Sequence, residues 1–356
     1  MLLENKQIFF ASANTTKGFR NYFQQVFHPN RFEEIFIIKG GPGTGKSSFM
    51  RTVASWAEKK GYTVSLFACS SDPLSLDAII IHEKSIVILD GTSPHTTEPK
   101  YPGVVENIIN TGLFWNTKKL LTHKKEIIHL IQEKSQSYKQ AYRFLNAAGE
   151  IDEEIANIGE KALLSEKAER NIQRLTKRIF PQDKSFEEEI RLISSMNAEG
   201  HFCLETFQNA STEIYIIEDA LFTAHTYLAE IYKSAKETKQ TVYKSFSCRF
   251  PDKINALYFP KLGISFVIGE KNYDMEDQKK TYHYINMHRF VDQEIIKQNR
   301  QKIRFGKKCA DMLYNGAKDS FLLAKKHHEA LEKIYISAMD FQDFSKMCDD
   351  FLTKIE

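Results

Sequence analysis

Apolar residues in the first third of the chain come in short runs. Ile8-Phe9-Phe10-Ala11, Ile35-Phe36-Ile37-Ile38, Thr63-Val64-Ser65-Leu66-Phe67, Leu76 to Ile81 and Ser85 to Leu89 each have the length and bounding turn residues of a buried strand. Two helical patterns lie among them. A short amphipathic one spans Phe19 to Phe27, and a longer one, Ser48 to Ala57, follows the second strand and is closed by Gly61. From residue 116 to 180 the texture changes. Gly and Pro almost vanish, and Leu120, Ile127, Ile131, Tyr138, Tyr142 and Leu145 recur at helical spacing. Ile151, Ile155, Ile158, Ala162, Ala168, Ile172, Leu175 and Ile179 then do the same. This predicts an arm of two antiparallel helices, with a turn at Ala147-Ala148-Gly149, Asp152 as a helix cap and Pro181 as the stop.

The pattern then repeats. Ile35-Phe36-Ile37-Ile38 reappears as Ile214-Tyr215-Ile216-Ile217, and at the same offset Cys69 meets Cys248. One deletion later, Asp77-Ala78-Ile79-Ile80-Ile81 falls on Asn255-Ala256-Leu257-Tyr258-Phe259, and Ser85 to Gly91 on Gly263 to Gly269. Upstream, Thr15-Thr16-Lys17-Gly18 matches Asn197-Ala198-Glu199-Gly200. A second helical stripe, Ile303, Ala310, Leu313, Ala317, Phe321, Ala324, His328, Leu331 and Tyr335, closes the second copy. The expected architecture is α/β: two three-layer cores with mostly parallel sheets, in tandem, each followed by a long helical extension. The expected boundaries are a first core at 1–115, an arm at 116–183, a second core at 184–270 and a C-terminal helical segment at 271–356.

The chemistry is concentrated between the second strand and the helix after it. Gly40-Gly41-Pro42-Gly43-Thr44-Gly45-Lys46-Ser47 satisfies G-x-x-x-x-G-K-[ST] in a strand–turn–helix context. Glycines let backbone approach a phosphate closely, and loop amides at a helix start form an anion site. Gly40 through Ser48 are therefore the expected phosphate-binding residues, Lys46 the cation for the β- and γ-phosphates, and Ser47 a Mg²⁺ ligand. Asp90, at the end of an apolar strand, is the expected magnesium-side carboxylate, and Lys46 and Asp90 are the expected catalytic pair. Asp90 has no glutamate after it, so the water-activating residue is open among Glu83, Glu98, Glu106 and His95. His95 reads first as an exposed loop histidine. The second copy replaces Gly40 by Asp219, Gly45 by Ala224, Lys46 by His225, Ser47 by Thr226 and Asp90 by Ile268, so one nucleotide site per chain is expected. Arg249, at the position of Ser70, is a candidate to reach across to the phosphates.

Composition narrows the class only a little. Of 356 residues, 42% are hydrophobic and 27% charged, with a net charge of +3, which gives no argument for nucleic acid or an anionic membrane. The arm's mixed Lys, Arg and Glu faces read as solvated helix surface. No apolar run is long enough to span a bilayer, and Met1 to Lys6 lack the pattern of a signal peptide. The five cysteines are scattered, with no C-x-x-C pair, which fits reduced thiols and a cytoplasmic setting.

The glycine-rich loop, Ile-Leu-Asp-Gly-Thr-Ser-Pro-His at 88–95, Pro99-Lys100-Tyr101-Pro102-Gly103, the arm and the second copy together resemble a family of uncharacterised bacterial tandem P-loop ATPases. The resemblance covers nearly the whole chain and implies ATP and Mg²⁺ as ligands of the first loop. In that family both copies often keep a glycine-rich loop, and this chain departs from it in the second. The leading expectation is slow Mg²⁺-dependent ATP hydrolysis coupled to movement of the arms. The alternatives are a phosphotransferase acting on a small molecule or nucleotide, and a nucleotide-gated interaction protein with negligible turnover.

Overall fold

In the computed structural model, which describes residues 7–270, 277 and 279–356, the apolar runs form two six-stranded sheets with the same strand order. Residues 1–6, read above for a signal peptide, lie outside the described residues. The first sheet contains β1 (Gln7–Phe10), β4 (Glu34–Lys39), β5 (Val64–Ala68), β6 (Leu76–Ile81), β7 (Ile86–Asp90) and β8 (Glu106–Asn110), ordered β1-β5-β6-β7-β4-β8. The second contains β9 (Glu187–Ile190), β12 (Glu213–Glu218), β13 (Thr241–Phe246), β14 (Ile254–Phe259), β15 (Ile264–Ile268) and β16 (Thr281–Asn286), ordered β9-β13-β14-β15-β12-β16. Two hairpins, β2 (Ser12–Thr15) with β3 (Gly18–Asn21) and β10 (Ser194–Asn197) with β11 (Gly200–Cys203), complete the repeat. The sixth strand of the second sheet, β16, thus falls inside the segment read from sequence as C-terminal helical.

The sheets are mixed rather than mostly parallel. β6 runs antiparallel to both β5 and β7, while β1–β5, β7–β4 and β4–β8 are parallel. The reason lies in the connections. Only residues 82–85 separate β6 from β7, and so short a link can join antiparallel neighbours only. The stretch read as a helix from Phe19 to Phe27 divides into β3 and a single helical turn, α1 (Phe23–Val26). α2 (Lys46–Lys59) and α7 (Ala224–Glu237) follow the central strands β4 and β12 and pack on the sheets through Phe49, Met50 and Val53, and through Tyr227, Leu228 and Ile231. The short helix α6 (Thr206–Ala210) lies against β1 and β15.

The arm differs most from expectation. One helix, α4 (Lys124–Ala162), runs unbroken through Ala147-Ala148-Gly149. Alanine is the best helix former, and one internal glycine costs only about 1 kcal/mol. Gly149 is used instead for close approach, since a methyl group there would meet Thr16 Cβ at 2.7 Å. Asp152 is buried on that helix rather than capping one. The antiparallel partner of α4 is α9 (Arg300–Ser337), the corresponding helix of the second half. The pairing is read from Tyr138 on Phe321, Gly316 on Phe144 and Gly306 on Ile155. Each arm is preceded by a short helix, α3 (Thr117–Thr122) or α8 (Gln293–Gln298).

The terminal helices exchange cores. α5 (Ser165–Ile179) belongs to the first half but buries Ala168 and Ile172 in the second core. α10 (Phe341–Ile355) belongs to the second half but buries Phe344, Cys348, Phe351 and Ile355 in the first. Phe351 stands edge-on to Phe36 at 4.8 Å and to Phe49 at 5.1 Å. Phe351→Ala should therefore lower unfolding free energy by about 3–5 kcal/mol in chemical denaturation. A loss under about 1 kcal/mol would show that α10 does not anchor the first core.

Candidate functional site

The glycine-rich loop leaves β4 at Lys39 and enters α2 at Lys46, with Gly43 (φ +68°) and Gly45 (φ +81°) in the left-handed region that bulkier residues avoid. Thr44 braces the turn by donating to Gly41 O at 3.0 Å. The Thr111 hydroxyl, just beyond β8, donates to Lys39 O at 3.1 Å. Lys46 Nζ folds over the loop, donating to Gly40 O at 3.1 Å and Gly41 O at 2.7 Å, and lies 3.6 Å from Asp90 Oδ2. The other carboxylate oxygen of Asp90 accepts from Thr92 N at 2.9 Å and Thr92 Oγ1 at 2.6 Å. Ser47 Oγ accepts from Leu76 N at 2.9 Å, so it ties α2 to β6 and keeps a second lone pair. Gly40 to Ser48, Lys46 and Asp90 are thus brought together at the carboxyl ends of β4 and β7. Asp90 and Ser47 supply hard oxygen donors of the kind that Mg²⁺ takes together with water or phosphate. Among the described residues, no group of three or more His, Cys, Asp or Glu could hold a metal.

Near this pair lies a polar cluster of which sequence reasoning named His95 and missed Asp77. Asp77 and His95 are buried, with His95 Nε2 3.6 Å from Asp77 Oδ1, and neither ring nitrogen of His95 has a hydrogen-bond partner among the described residues. Burial, reinforced by the Asp90 charge, pushes the Asp77 carboxyl up to about 8. Burial, with a smaller push from Lys46, lowers His95 to about 4. His95 is therefore not an exposed loop histidine. The edge of Phe23 covers it at 4.6 Å, a contact with no local signal in the sequence. The alternation in Asp77-Ala78-Ile79 could have flagged an acid in a buried strand.

The carboxylates considered for activating water are engaged elsewhere. Glu83 sits at the opposite end of the sheet, accepting from Thr63 N and Oγ1 at 2.7 and 2.6 Å. Glu98 pairs with Lys39 at 2.6 Å. Glu106 is buried and accepts from the amides of Lys100 and Tyr101 at 2.5 and 2.7 Å, holding the turn before β8. What does border the loop comes mostly from the other half. Beyond Gly41 stand Trp115 and Tyr335. A methyl group on Gly43 would stand 2.8 Å from Glu332 O and 2.9 Å from Ile336 Cγ1, and one on Gly45 2.9 Å from the Phe344 ring. Lys325 pairs with Asp72 at 3.2 Å along the same wall, and His328 Nε2 lies 3.6 Å from Glu332 Oε1. Lys325, His328, Glu332, Tyr335 and Ile336 lie on α9, far from the loop in sequence, so linear spacing could not connect them to it.

The second loop is closed from within. Asp219 accepts from Phe222 N and Ala224 N, each at 2.9 Å, so a carboxylate already occupies the amides at the start of α7. Leu221 and Phe222 take positive φ, 55° and 64°, in the space glycines give the first loop. The register also differs from the sequence alignment. Helix starts pair Lys46 with Ala224 and Ser47 with His225, because the second loop is one residue shorter. His225 Nδ1 lies 2.8 Å from Ile254 O, fastening α7 to β14 where Ser47 fastens α2 to β6. Arg249 does not reach the first loop. It is held by Asp152 through Nε at 2.9 Å and Nη2 at 2.8 Å, and Tyr314 Oη donates to the same carboxylate at 2.6 Å.

No protein-family model matches the chain, and no curated protein or solved structure matches it either. Among the described residues no helix is long and apolar enough to cross a membrane.

The buried pair sets a pH dependence in metal-free protein. Asp77 keeps, when folded, a proton that the unfolded chain releases from about pH 3.8, so its contribution declines as pH rises towards 8. His95 acts oppositely below pH 6.5, where the unfolded chain takes up a proton that the folded one refuses until about pH 4. The two offset in acid and leave a decline from about pH 6.5 to 8, at most about 1.4 kcal/mol per pH unit. Asp77→Asn, which copies Asn255 of the second half, should flatten the urea midpoint over that range. An unchanged slope would place the titrating group elsewhere.

Proposed function

We propose that the chain is a P-loop nucleoside-triphosphate-binding protein, binding one ATP per molecule, with slow hydrolysis coupled to the arms that close on the loop. The observation that carries the reading is Lys46. Its ammonium is folded over a loop with two left-handed glycines and lies 3.6 Å from the carboxylate that ends β7. An ammonium beside loop amides and a carboxylate is the arrangement that phosphate and a phosphate-bound cation require. Mg²⁺, held from the Ser47 and Asp90 side, would neutralise phosphate charge. The loop amides would orient the phosphates, and Lys46 would exchange its bonds to Gly40 O and Gly41 O for phosphate oxygens.

Coupling follows from where the arms sit. α9 rests on Gly43 and α10 on Gly45, so a ligand entering the loop meets helices of the second half. The second loop, with Asp219 on its own amides, supports a scaffold role for that half. A second reading, phosphoryl transfer to a small-molecule acceptor, is favoured by the polar wall of Asp72, Lys325, His328 and Glu332, which could orient an acceptor. An acceptor-screened assay separates the two.

Titration calorimetry with a non-hydrolysable ATP analogue should give a stoichiometry near one. Lys46→Ala should weaken binding at least tenfold, about 1.4 kcal/mol, with its melting transition kept. Wild-type affinity in folded Lys46→Ala would remove the phosphate assignment, and a stoichiometry of two would reopen the second loop.

A further inference from the structure

The two arms present unequal chemistry to the two loops. Counted from Lys124 and Arg300, their first residues, Tyr138 is the equivalent of Tyr314. In that count Lys134 is equivalent to Ala310, Lys325 to Gly149, His328 to Asp152 and Glu332 to Ala156. Polar side chains are thus gathered where the glycine loop is intact. At the closed loop their places are taken by two alanines, a glycine and an aspartate committed to Arg249. Packing of the seam does not account for Lys325, His328 and Glu332, since the buried positions on α9 are Ile303, Ala310, Ala317, Phe321, Ala324 and Leu331.

Glu332 is the best placed of the group. Its backbone touches Gly43, and its side chain is 38% exposed, which leaves the carboxylate open to water at the edge of the loop. Asp72 pairs with Lys325, Asp90 with Thr92 and Lys46, and Asp77 keeps its own proton near neutrality, whereas the side chain beside Glu332, His328 at 3.6 Å, is a ring that burial keeps neutral. On the nucleotide reading above, we infer that Glu332, carried to the first half's loop by the second half's arm, is the general base for attack on the γ-phosphate. A water hydrogen-bonded to the carboxylate attacks phosphorus as its proton passes to Glu332. The new P–O bond forms as the bond to the β–γ bridging oxygen breaks, and that oxygen leaves with the electron pair on ADP. The carboxyl then returns its proton to solvent. Burial and the Asp72 charge raise the affinity of Glu332 for a proton, while Lys46 and the Gly43 amide moderate the rise, which suits a base better than an ordinary surface carboxylate does.

The test compares wild type, Glu332→Gln, Glu332→Asp and Lys46→Ala, with Glu329→Gln as a neighbouring exposed control. Nucleotide affinity is measured by calorimetry, and nucleotide retained after incubation with ATP and Mg²⁺ is identified by chromatography. Glu332→Gln should bind ATP within about threefold of wild type and hold it as ATP, with turnover lower by about 100-fold or more. Glu332→Asp, whose carboxylate is withdrawn by one methylene, should show the same split if the glutamine variant misfolds. Wild-type turnover in folded Glu332→Gln or Glu332→Asp overturns the inference, as does a wild-type protein that binds ATP and yields no ADP within a day. Either result leaves nucleotide binding standing. Wild-type ATP affinity in Lys46→Ala would instead remove the reading on which the inference rests.

Discussion

The structure depends on a helix lying directly on a loop, which is possible only if one side of the contact has no side chain. At the first loop the bare side is the loop. Gly41 and Gly43 receive Tyr335, Ile336 and the α9 backbone. At the second loop the roles reverse: Leu221 and Phe222 are large, and the α4 residue pressed against Leu221 is Gly159. Gly159 and Tyr335 are equivalent positions of the two arms, so the steric partners have been exchanged while the contact is kept. Close packing allows no other solution, since a methyl group on both sides would overlap.

This contact explains why the halves are interlaced rather than strung in series. Each arm must cross to the other half's loop to fill it, and the terminal helices α5 and α10 then dock on the opposite core. The apolar faces of those helices are long enough to hold the crossing, with Phe344, Cys348, Phe351 and Ile355 on one stripe of α10. A change at the first loop is therefore mechanically a change at the end of the second half's arm.

The halves also resolve buried polarity differently. In the second, Asp219 satisfies its loop amides, Arg249 pairs with Asp152 of the first half's arm, and Asn255 donates to Ser194 at 3.2 Å while its own Oδ1 stays unpartnered among the described residues. In the first, Lys46 and Asp90 stand at 3.6 Å, Asp77 avoids the cost of a buried charge by keeping its proton, and His95 stays neutral without a hydrogen-bond partner. Leaving such groups unsatisfied opposes stability, and stability is commonly traded in this way at functional sites.

What the sequence determined by itself was local or repeated. Apolar runs marked the strands because a buried strand needs apolar residues on both faces. Glycines marked the loop because positive φ excludes most side chains. Two copies of one pattern predicted two sheets of one topology. The antiparallel course of β6 could have been inferred from the short link at residues 82–85, but reading strands as isolated runs hides their direction. Tertiary structure alone decided the rest. Gly149 stands inside α4 without a side chain because Thr16, far away in sequence, fills the space one would take. His95 is buried because Phe23 covers it. Glu332 stands at the loop because two long helices, of 39 and 38 residues, pack antiparallel, and such a pairing places residues by helix register rather than by distance along the chain.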